Sequence, residues 1–208
     1  MEVERNNDII EYLQQNFGYK IPKFCETTNK VYTLSKLDES GSEYKSIAKT
    51  AYVYGGTIGE ISIISIEKVF NPYTLALYNL KKSETNGDVL EYELWHGTTE
   101  SSLDNILKKN FDYRLVKQHL FGKGISFSKY FSYAFHYSVS NNPQIDEEYC
   151  ILLCNVFIGK TEIGYKGTNY PNPGYNTTIK SNGDVFVKYD DDTFYPTYKI
   201  RYTIKEKS

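Results

Sequence analysis

Segments with the residue pattern of β-strands are interleaved irregularly with short helical patterns along this chain, and this order limits the folds it can adopt. A strict alternation of strands and helices would be typical of a parallel α/β sheet, whereas this irregular order is typical of the α+β class. The strand patterns lie at residues 60–66, 89–95, 149–158, 184–189 and 198–204. The sequence therefore predicts an α+β fold with a few short helices.

The helical patterns occupy stretches between these strands. Residues 8–17 carry an apolar stripe, which Asn7 would cap and Gly18 would end. Further helices are predicted at residues 42–50, 73–82, 102–109 and 129–138.

Two stretches carry more detailed predictions. In the helix at 73–82, Tyr73, Leu77 and Leu80 share one face at helical spacing, so we expect them to point inward. Residues 160–183 are rich in Gly, Pro, Asn and Tyr, which indicates one long loop.

Length, charge and cysteine content exclude several classes of protein. The 208 residues contain no apolar run of membrane-spanning length, and the polar N-terminus lacks the pattern of a secretory signal. The net charge of −2 gives no reason to expect a nucleic acid or an anionic membrane as partner. Cys150 and Cys154 would share one face of a strand roughly 13 Å apart, too far for a disulfide. With Cys25 they are expected to be reduced thiols, in the cytoplasm or the nucleus.

Three local features could carry chemistry. His96-Gly97-Thr98 lies where a strand meets a helix, a place that exposes backbone donors to ligands. Residues 121–124, Phe-Gly-Lys-Gly, form a Gly-x-Gly loop without the spacing of a P-loop. The helix that follows is rich in aromatic residues, most of which a buried core stripe would explain. No cysteine and histidine spacing of a zinc site is present, and Asp190-Asp191-Asp192 indicates a solvated turn, so no metal is expected.

The order of these features resembles the catalytic domain of the poly(ADP-ribose) polymerase family, nearest to its mono-ADP-ribosylating members. The matching motifs are Trp-His-Gly-Thr at 95–98, Asn-Phe-Asp-Tyr-Arg at 110–114, Phe-Gly-Lys-Gly-Ile-x-Phe at 121–127 and His-Tyr-Ser at 136–138. The resemblance covers residues 42–208 and leaves residues 1–41 as an N-terminal extension of unknown role. It implies the split antiparallel β fold of these enzymes, with NAD as co-substrate in a cleft and no metal.

The resemblance also implies roles for individual residues. His96 matches the histidine that hydrogen-bonds NAD at the adenosine ribose, and Thr98 matches a small hydroxyl residue that contacts the same ribose. Gly97 matches the glycine whose backbone pairs with the nicotinamide carboxamide. Tyr137 matches the tyrosine that stacks on the nicotinamide ring. Arg114 lies where the donor loop begins, either near a phosphate or as a plain surface arginine.

Two positions depart from the pattern of the family, and a third departs from that of its polymerising members. The third position of the catalytic triad, a glutamate in the polymerising members, is Val185. The second, usually a tyrosine, is Ser126, and a serine that usually holds the carboxamide is replaced by Ala134. Tyr130, one helical turn before Ala134, is a candidate to fill the space.

These residues predict one function, and two alternative functions remain open. A valine at position 185 cannot polarise a ribose hydroxyl, so a mono-ADP-ribosyltransferase is expected, one that transfers a single ADP-ribose unit to a protein or other macromolecular acceptor and releases nicotinamide. One alternative is a weak or inactive relative that binds NAD, ADP-ribose or a protein partner, and the other is an NAD hydrolase. The acceptor is not identified, a monomer is expected, and targeting would lie in residues 1–41 or 160–183. The Asn- and Lys-rich composition fits an AT-rich genome of a virus or a protist.

Overall fold

The computed structural model describes residues 2–20, 30–51, 60–85, 89–117, 119–139 and 143–206, with side chains from residue 7 onward. Nine strands and five α-helices lie in these ranges, so the α+β class is confirmed. The helices are α1 Glu2–Phe17, α2 Ser42–Thr50, α3 Pro72–Glu84, α4 Glu100–Lys109 and α5 Phe131–Ser138. The strands are β1 Thr33–Lys36, β2 Glu60–Phe70, β3 Leu90–Gly97, β4 Ile125–Ser128, β5 Glu148–Ile158, β6 Thr161–Ile163, β7 Thr177–Ile179, β8 Val185–Lys188 and β9 Phe194–Lys205.

The nine strands form one sheet that is almost divided in two. Their order is β1-β2-β9-β5-β3-β4-β8-β7-β6, and every neighbouring pair is antiparallel except β6 with β7. Strand β3 pairs with β5 along its whole length, whereas it meets β4 through a single pair, Trp95 with Ser128. The sheet therefore consists of two halves that are joined at one point.

Strand β5 holds the centre of the larger half because both of its faces are buried. Cys150, Leu152 and Cys154 point into one hydrophobic core, while Ile151 and Leu153 point into another on the opposite face. The prediction that the two thiols share one face is confirmed. Burial raises the pKa of the Cys150 thiol to about 12 and that of the Cys154 thiol well above its ordinary value, so both stay protonated. Cys25 lies outside the described residues.

Helix α1 packs against the larger half through a third core. Leu13 is fully buried there, together with Phe70 at the end of β2 and Leu75 of α3. The helix begins before the expected cap, so Asn7 lies inside it, and it ends as predicted at Gly18, whose φ of 60° favours glycine. The division of the chain into an N-terminal extension at residues 1–41 and a catalytic domain at residues 42–208 stays a prediction. Within the described ranges, no helix has the length and apolar character that crossing a membrane requires.

Asn71 connects the end of β2 to two helices and is almost completely buried. Its Oδ1 accepts hydrogen bonds from the backbone nitrogens of Tyr73 (3.1 Å) and Thr74 (3.3 Å), which caps α3. Its Nδ2 donates to the carbonyl oxygens of Leu107 (2.9 Å) and Lys108 (3.1 Å) in the last turn of α4. One side chain thus satisfies orphan backbone groups of both helices.

The inward face predicted for α3 is wrong. Leu77 is 47% exposed and Leu80 is 40% exposed, and Tyr73 is only partly covered. The helix instead buries Leu75, Ala76 and Tyr78. Tyr78 determines this orientation, since its ring stacks on Phe157 at 4.3 Å between centroids. Its hydroxyl also donates to Glu91 at 2.5 Å.

The single long loop predicted for residues 160–183 is also wrong, because it contains β6 and β7. These strands have three residues each and form the parallel pair at one edge of the sheet. Strands β1 and β4, with four residues each, were not predicted either. Helix α3 extends to Glu84, two residues beyond the end predicted for it at residue 82.

We expect Asn71→Ala to lower the free energy of unfolding by about 3 kcal/mol, because it removes the cap of α3 and leaves two carbonyls of α4 without their donor. Urea unfolding monitored by circular dichroism measures the change. Asn79→Ala is the matched control, since Asn79 makes one hydrogen bond within α3, from Nδ2 to the carbonyl of Leu75 (2.8 Å). An equal loss for both variants would contradict the linking role of Asn71.

Candidate active site

A cleft opens where β3 and β4 separate beyond their single pair. His96 and Gly97 are the last residues of β3, and they pair with β5 but not with β4 among the described residues. The side chain of His96 crosses the gap instead, because its Nδ1 lies 2.9 Å from the carbonyl oxygen of Ser126 in β4. The strand ends and this hydrogen bond therefore fix the position of His96 at the entrance of the cleft.

The surroundings of His96 determine its protonation state. A carbonyl oxygen only accepts, so Nδ1 carries the hydrogen and donates it to Ser126. The imidazole ring lies against Phe111 (4.6 Å between centroids) and Phe127 (5.6 Å). Burial among these rings lowers the pKa of His96 from 6.5 to about 4. The ring is therefore neutral at physiological pH, and its Nε2 is a hydrogen-bond acceptor.

Gly97 allows helix α5 to pack directly over the end of β3. A Cβ atom at this position would lie 1.9 Å from the carbonyl oxygen of Ala134 and 2.8 Å from the Cβ of Tyr137. Any side chain at position 97 would consequently push α5 away from β3. The glycine thus sets the distance between the strand and the helix that carries Tyr137.

The first cavity of the cleft has a volume of about 650 Å³, a size typical of small-molecule sites. The structure brings five of the sequence-predicted site residues together in its lining, namely His96, Gly97, Ser126, Ala134 and Tyr137. The main chain of Ser126 holds His96, so this contact does not depend on the side chain at position 126. Ala134 is buried, whereas Tyr137 is half exposed and can meet a ligand.

Tyr133 also lines the first cavity and was not predicted as a site residue. It lies one helical turn before Tyr137, with 3.2 Å between the two hydroxyl oxygens and 5.5 Å between the ring centroids. Burial and the hydrogen bond to Tyr137 raise the pKa of Tyr133, so its hydroxyl stays protonated. Tyr130, the residue expected to fill space here, is 48% exposed and lines neither this cavity nor the next.

A second cavity of about 800 Å³ adjoins the first, with His96, Val116 and Ile125 in both linings. It holds the two remaining cofactor candidates, Thr98 and Arg114. Thr98 follows directly on β3 and is buried. Together the two cavities form a continuous two-part cleft with His96 at its centre.

Arg114 does not have a free guanidinium group. Its Nε lies 2.6 Å from Asp112 Oδ1, and its Nη1 and Nη2 lie 3.0 and 3.3 Å from the two carboxylate oxygens of Asp191. Both aspartates line the second cavity as well. A phosphate at Arg114 would have to compete with these two carboxylates.

Val185 is not among the residues that line the cleft. It is fully buried in β8, where it pairs with Ser128, and neither cavity has it in its lining. The first cavity contains no aspartate or glutamate in its lining, so no carboxylate of the described residues faces it. In the same part of the chain, no group of three or more His, Cys, Asp or Glu residues is arranged to hold a metal ion.

The known proteins to which this chain is similar belong to one family. A family model described as the poly(ADP-ribose) polymerase catalytic domain matches residues 41–207. The human protein mono-ADP-ribosyltransferase PARP12 is 28% identical over 187 residues, an alignment that covers 82% of this chain and 26% of that protein. A probable poly(ADP-ribose) polymerase of Dictyostelium discoideum is 26% identical over 193 residues, which cover 88% of this chain and 56% of that protein. The chain spans about a quarter of the length of the PARP12 proteins that it matches.

We expect the ring of His96 to stay neutral, with hydrogen on Nδ1, from pH 8 down to pH 5, because its pKa is about 4. Two-dimensional NMR of ¹⁵N-labelled protein measures this, and the signal is assigned by its loss in His96→Gln. Between pH 6.5 and pH 4 the unfolded chain takes up a proton that the folded chain does not, so His96 lowers stability as the pH falls through this window. A ring that titrates near pH 6.5 would contradict the desolvated environment.

Proposed function

Because the chain belongs to the poly(ADP-ribose) polymerase catalytic-domain family, as its ordered motifs predict, we propose that it is an NAD-dependent mono-ADP-ribosyltransferase. It would transfer one ADP-ribose unit to a protein acceptor and release nicotinamide. The observation that carries the proposal is the neutral His96 at the centre of the two-part cleft. NAD, the substrate of the family, also has two parts, joined by a pyrophosphate.

The residues of the cleft have distinct tasks in this proposal. The Nε2 atom of His96 accepts a hydrogen bond from a ribose hydroxyl, for which a neutral imidazole is required. Tyr137 offers its exposed ring to the nicotinamide, and the backbone of Gly97, which lies close beside Tyr137 because it has no Cβ, pairs with the carboxamide of the same group. Thr98 lies in the second cavity, where the adenosine ribose would bind.

Lys117 is the cation that we assign to the pyrophosphate. Arg114 is occupied by Asp112 and Asp191, whereas Lys117 makes no ion pair in the described part of the chain. It lines the first cavity and follows Val116, which lines both. A lysine at this junction would neutralise part of the charge of the two phosphates.

The chemistry of the proposed reaction relies on positioning. Cleavage of the bond between nicotinamide and ribose places positive charge on the ribose, and no carboxylate lines the first cavity to balance it. The cleft supplies proximity and orientation, and an acceptor that is itself a carboxylate would attack without a base from the chain. Because Val185 cannot orient a ribose hydroxyl of a bound unit, transfer ends after one addition.

Intact mass spectrometry after incubation with NAD, with and without cell extract, tests the function. We expect protein that carries single ADP-ribose units, with an equal amount of free nicotinamide, and no product with His96→Ala. A ladder of polymers would show that the third triad position is placed wrongly. Free ADP-ribose without labelled protein would indicate a hydrolase, and unchanged NAD would indicate an inactive relative.

We expect Tyr133→Ala to weaken NAD binding several-fold, because it removes an aromatic wall of about 1 kcal/mol from the first cavity. The shift of the melting temperature with NAD measures the effect, since a ligand that binds only the folded state stabilises it. Tyr130→Ala is the matched control on the same helix end, and it should leave the shift unchanged. The same loss in both variants would remove Tyr133 from the site.

A further inference from the structure

Three lysines lie beside the cleft on loops of the smaller half of the sheet, which consists of β4, β8, β7 and β6. The backbone nitrogen of Lys123 donates to the carbonyl of Thr168 (2.9 Å), which joins it to the turn that contains Lys166. Lys166 lines the first cavity. The Nζ of Lys180 lies 5.7 Å from the ring centroid of Tyr133, which lines the same cavity. We call Lys123, Lys166 and Lys180 the basic surface.

The lysines of the basic surface have no acidic partners. None of them takes part in an ion pair of the described residues, whereas Lys68, Lys82, Lys108 and Lys205 each pair with a carboxylate elsewhere. Lys123 and Lys166 are also exposed. Three unpaired cations at one edge of a cleft create a positive potential that attracts an anionic partner.

Glu162 and Asp184 are the carboxylates nearest in sequence to Lys166 and Lys180, and both accept hydrogen bonds from nearby asparagines. Glu162 accepts hydrogen bonds from the backbone nitrogen (2.6 Å) and the Nδ2 (2.8 Å) of Asn172. Asp184 accepts from Asn182, at 2.5 Å. Neither of them forms an ion pair with a lysine among the described residues, so neither neutralises the charge of the basic surface.

The loop that carries this surface is braced against the cleft. Thr178 Oγ1 donates to the carbonyl of Phe121 (2.6 Å), and a Cβ at Gly164 would lie 1.9 Å from the same oxygen. Lys166 and Lys180 therefore keep a fixed position beside the first cavity. Tyr165, which is 67% exposed, adds an aromatic contact next to Lys166.

We propose that the basic surface docks an acidic segment of the acceptor protein, so that the substrates of this chain are rich in Asp and Glu around the modified side chain. The inference rests on the proposed function. It also agrees with the first cavity, whose lack of carboxylates requires an acceptor that brings its own. Acidic side chains along the acceptor would pair with the lysines while one of them enters the cleft.

A fluorescein-labelled peptide of alternating Glu and Ser tests the proposal by fluorescence anisotropy, without NAD. We expect Lys166→Glu combined with Lys180→Glu to weaken binding about tenfold or more, and the two alanine substitutions to weaken it less. The control combines Lys30→Glu with Lys45→Glu, two exposed lysines outside both cavities, at the same net charge. The control should keep wild-type affinity, and the peptide with Gln in place of Glu should not compete.

Three results would overturn the proposal. Equal peptide affinity in the charge-reversed variant and its control would show that the lysines are not the docking surface. Loss of the NAD-induced melting shift with unchanged peptide binding would assign them to the pyrophosphate. Tighter binding of an oligothymidylate of equal charge would indicate a nucleic-acid surface.

The peptide experiment uses no NAD, so its result does not depend on the proposed function. If the peptide binds but the wild-type protein leaves NAD unchanged in the intact-mass experiment, the proposed function is overturned and the docking surface stands.

Discussion

The single pair between Trp95 and Ser128 is the constraint on which the site depends. A β3 that paired with β4 along its whole length would close the gap and leave His96 inside an ordinary sheet. A β3 without any pairing would leave the position of Ser126 relative to His96 undetermined. One pair keeps the two halves of the sheet in register while their ends separate. The hydrogen bond from His96 Nδ1 to Ser126, at 2.9 Å, then spans the opening that the main chain leaves.

The same interaction decides what the cleft can do. A histidine with its Nδ1 committed and its pKa lowered to about 4 is a fixed, uncharged acceptor and a poor proton carrier near neutral pH. In the proposed function His96 would therefore bind and orient the substrate rather than exchange protons with it. The hydrogen bond that holds His96 uses the main-chain carbonyl of Ser126, so the side chain at position 126 takes no part in it. The replacement of the usual tyrosine by Ser126 consequently leaves the central hydrogen bond intact.

Five of the eight candidate site residues predicted from the sequence line the first cavity, whereas four of the nine strands in the described part of the chain were not predicted. The motif order singled out His96, Gly97 and Tyr137 as candidates because each is tied to a local pattern, a strand end or a helix. The four residues of β4 are too few for an alternating pattern, and so are the three residues each of β6 and β7. In α3, two sets of apolar residues have helical spacing, one with Leu77 and Leu80 and one with Leu75 and Tyr78. The second set is buried, with Tyr78 stacked on Phe157, a residue distant in sequence.

Tyr133 shows a signal that sequence reasoning could have used. Helix α5 carries phenylalanines at 131 and 135, both buried, and tyrosines at 133 and 137, both in the lining of the first cavity. A phenolic hydroxyl needs a polar partner or water, so tyrosines and phenylalanines on opposite sides of one helix indicate which side faces a cleft. The expectation that Tyr130 fills the space followed sequence distance to Ala134 and ignored this division.

Asn71 has a consequence for the chemical ageing of the protein. Asparagines convert slowly to aspartate when the next backbone nitrogen attacks the side-chain amide, and here that change would replace the donor facing the carbonyls of Leu107 and Lys108 by a negative charge. The next residue is Pro72, whose nitrogen carries no hydrogen. The residue that begins helix α3, Pro72, therefore also blocks the cyclisation that would destroy its cap, and the buried amide is protected against deamidation by this route.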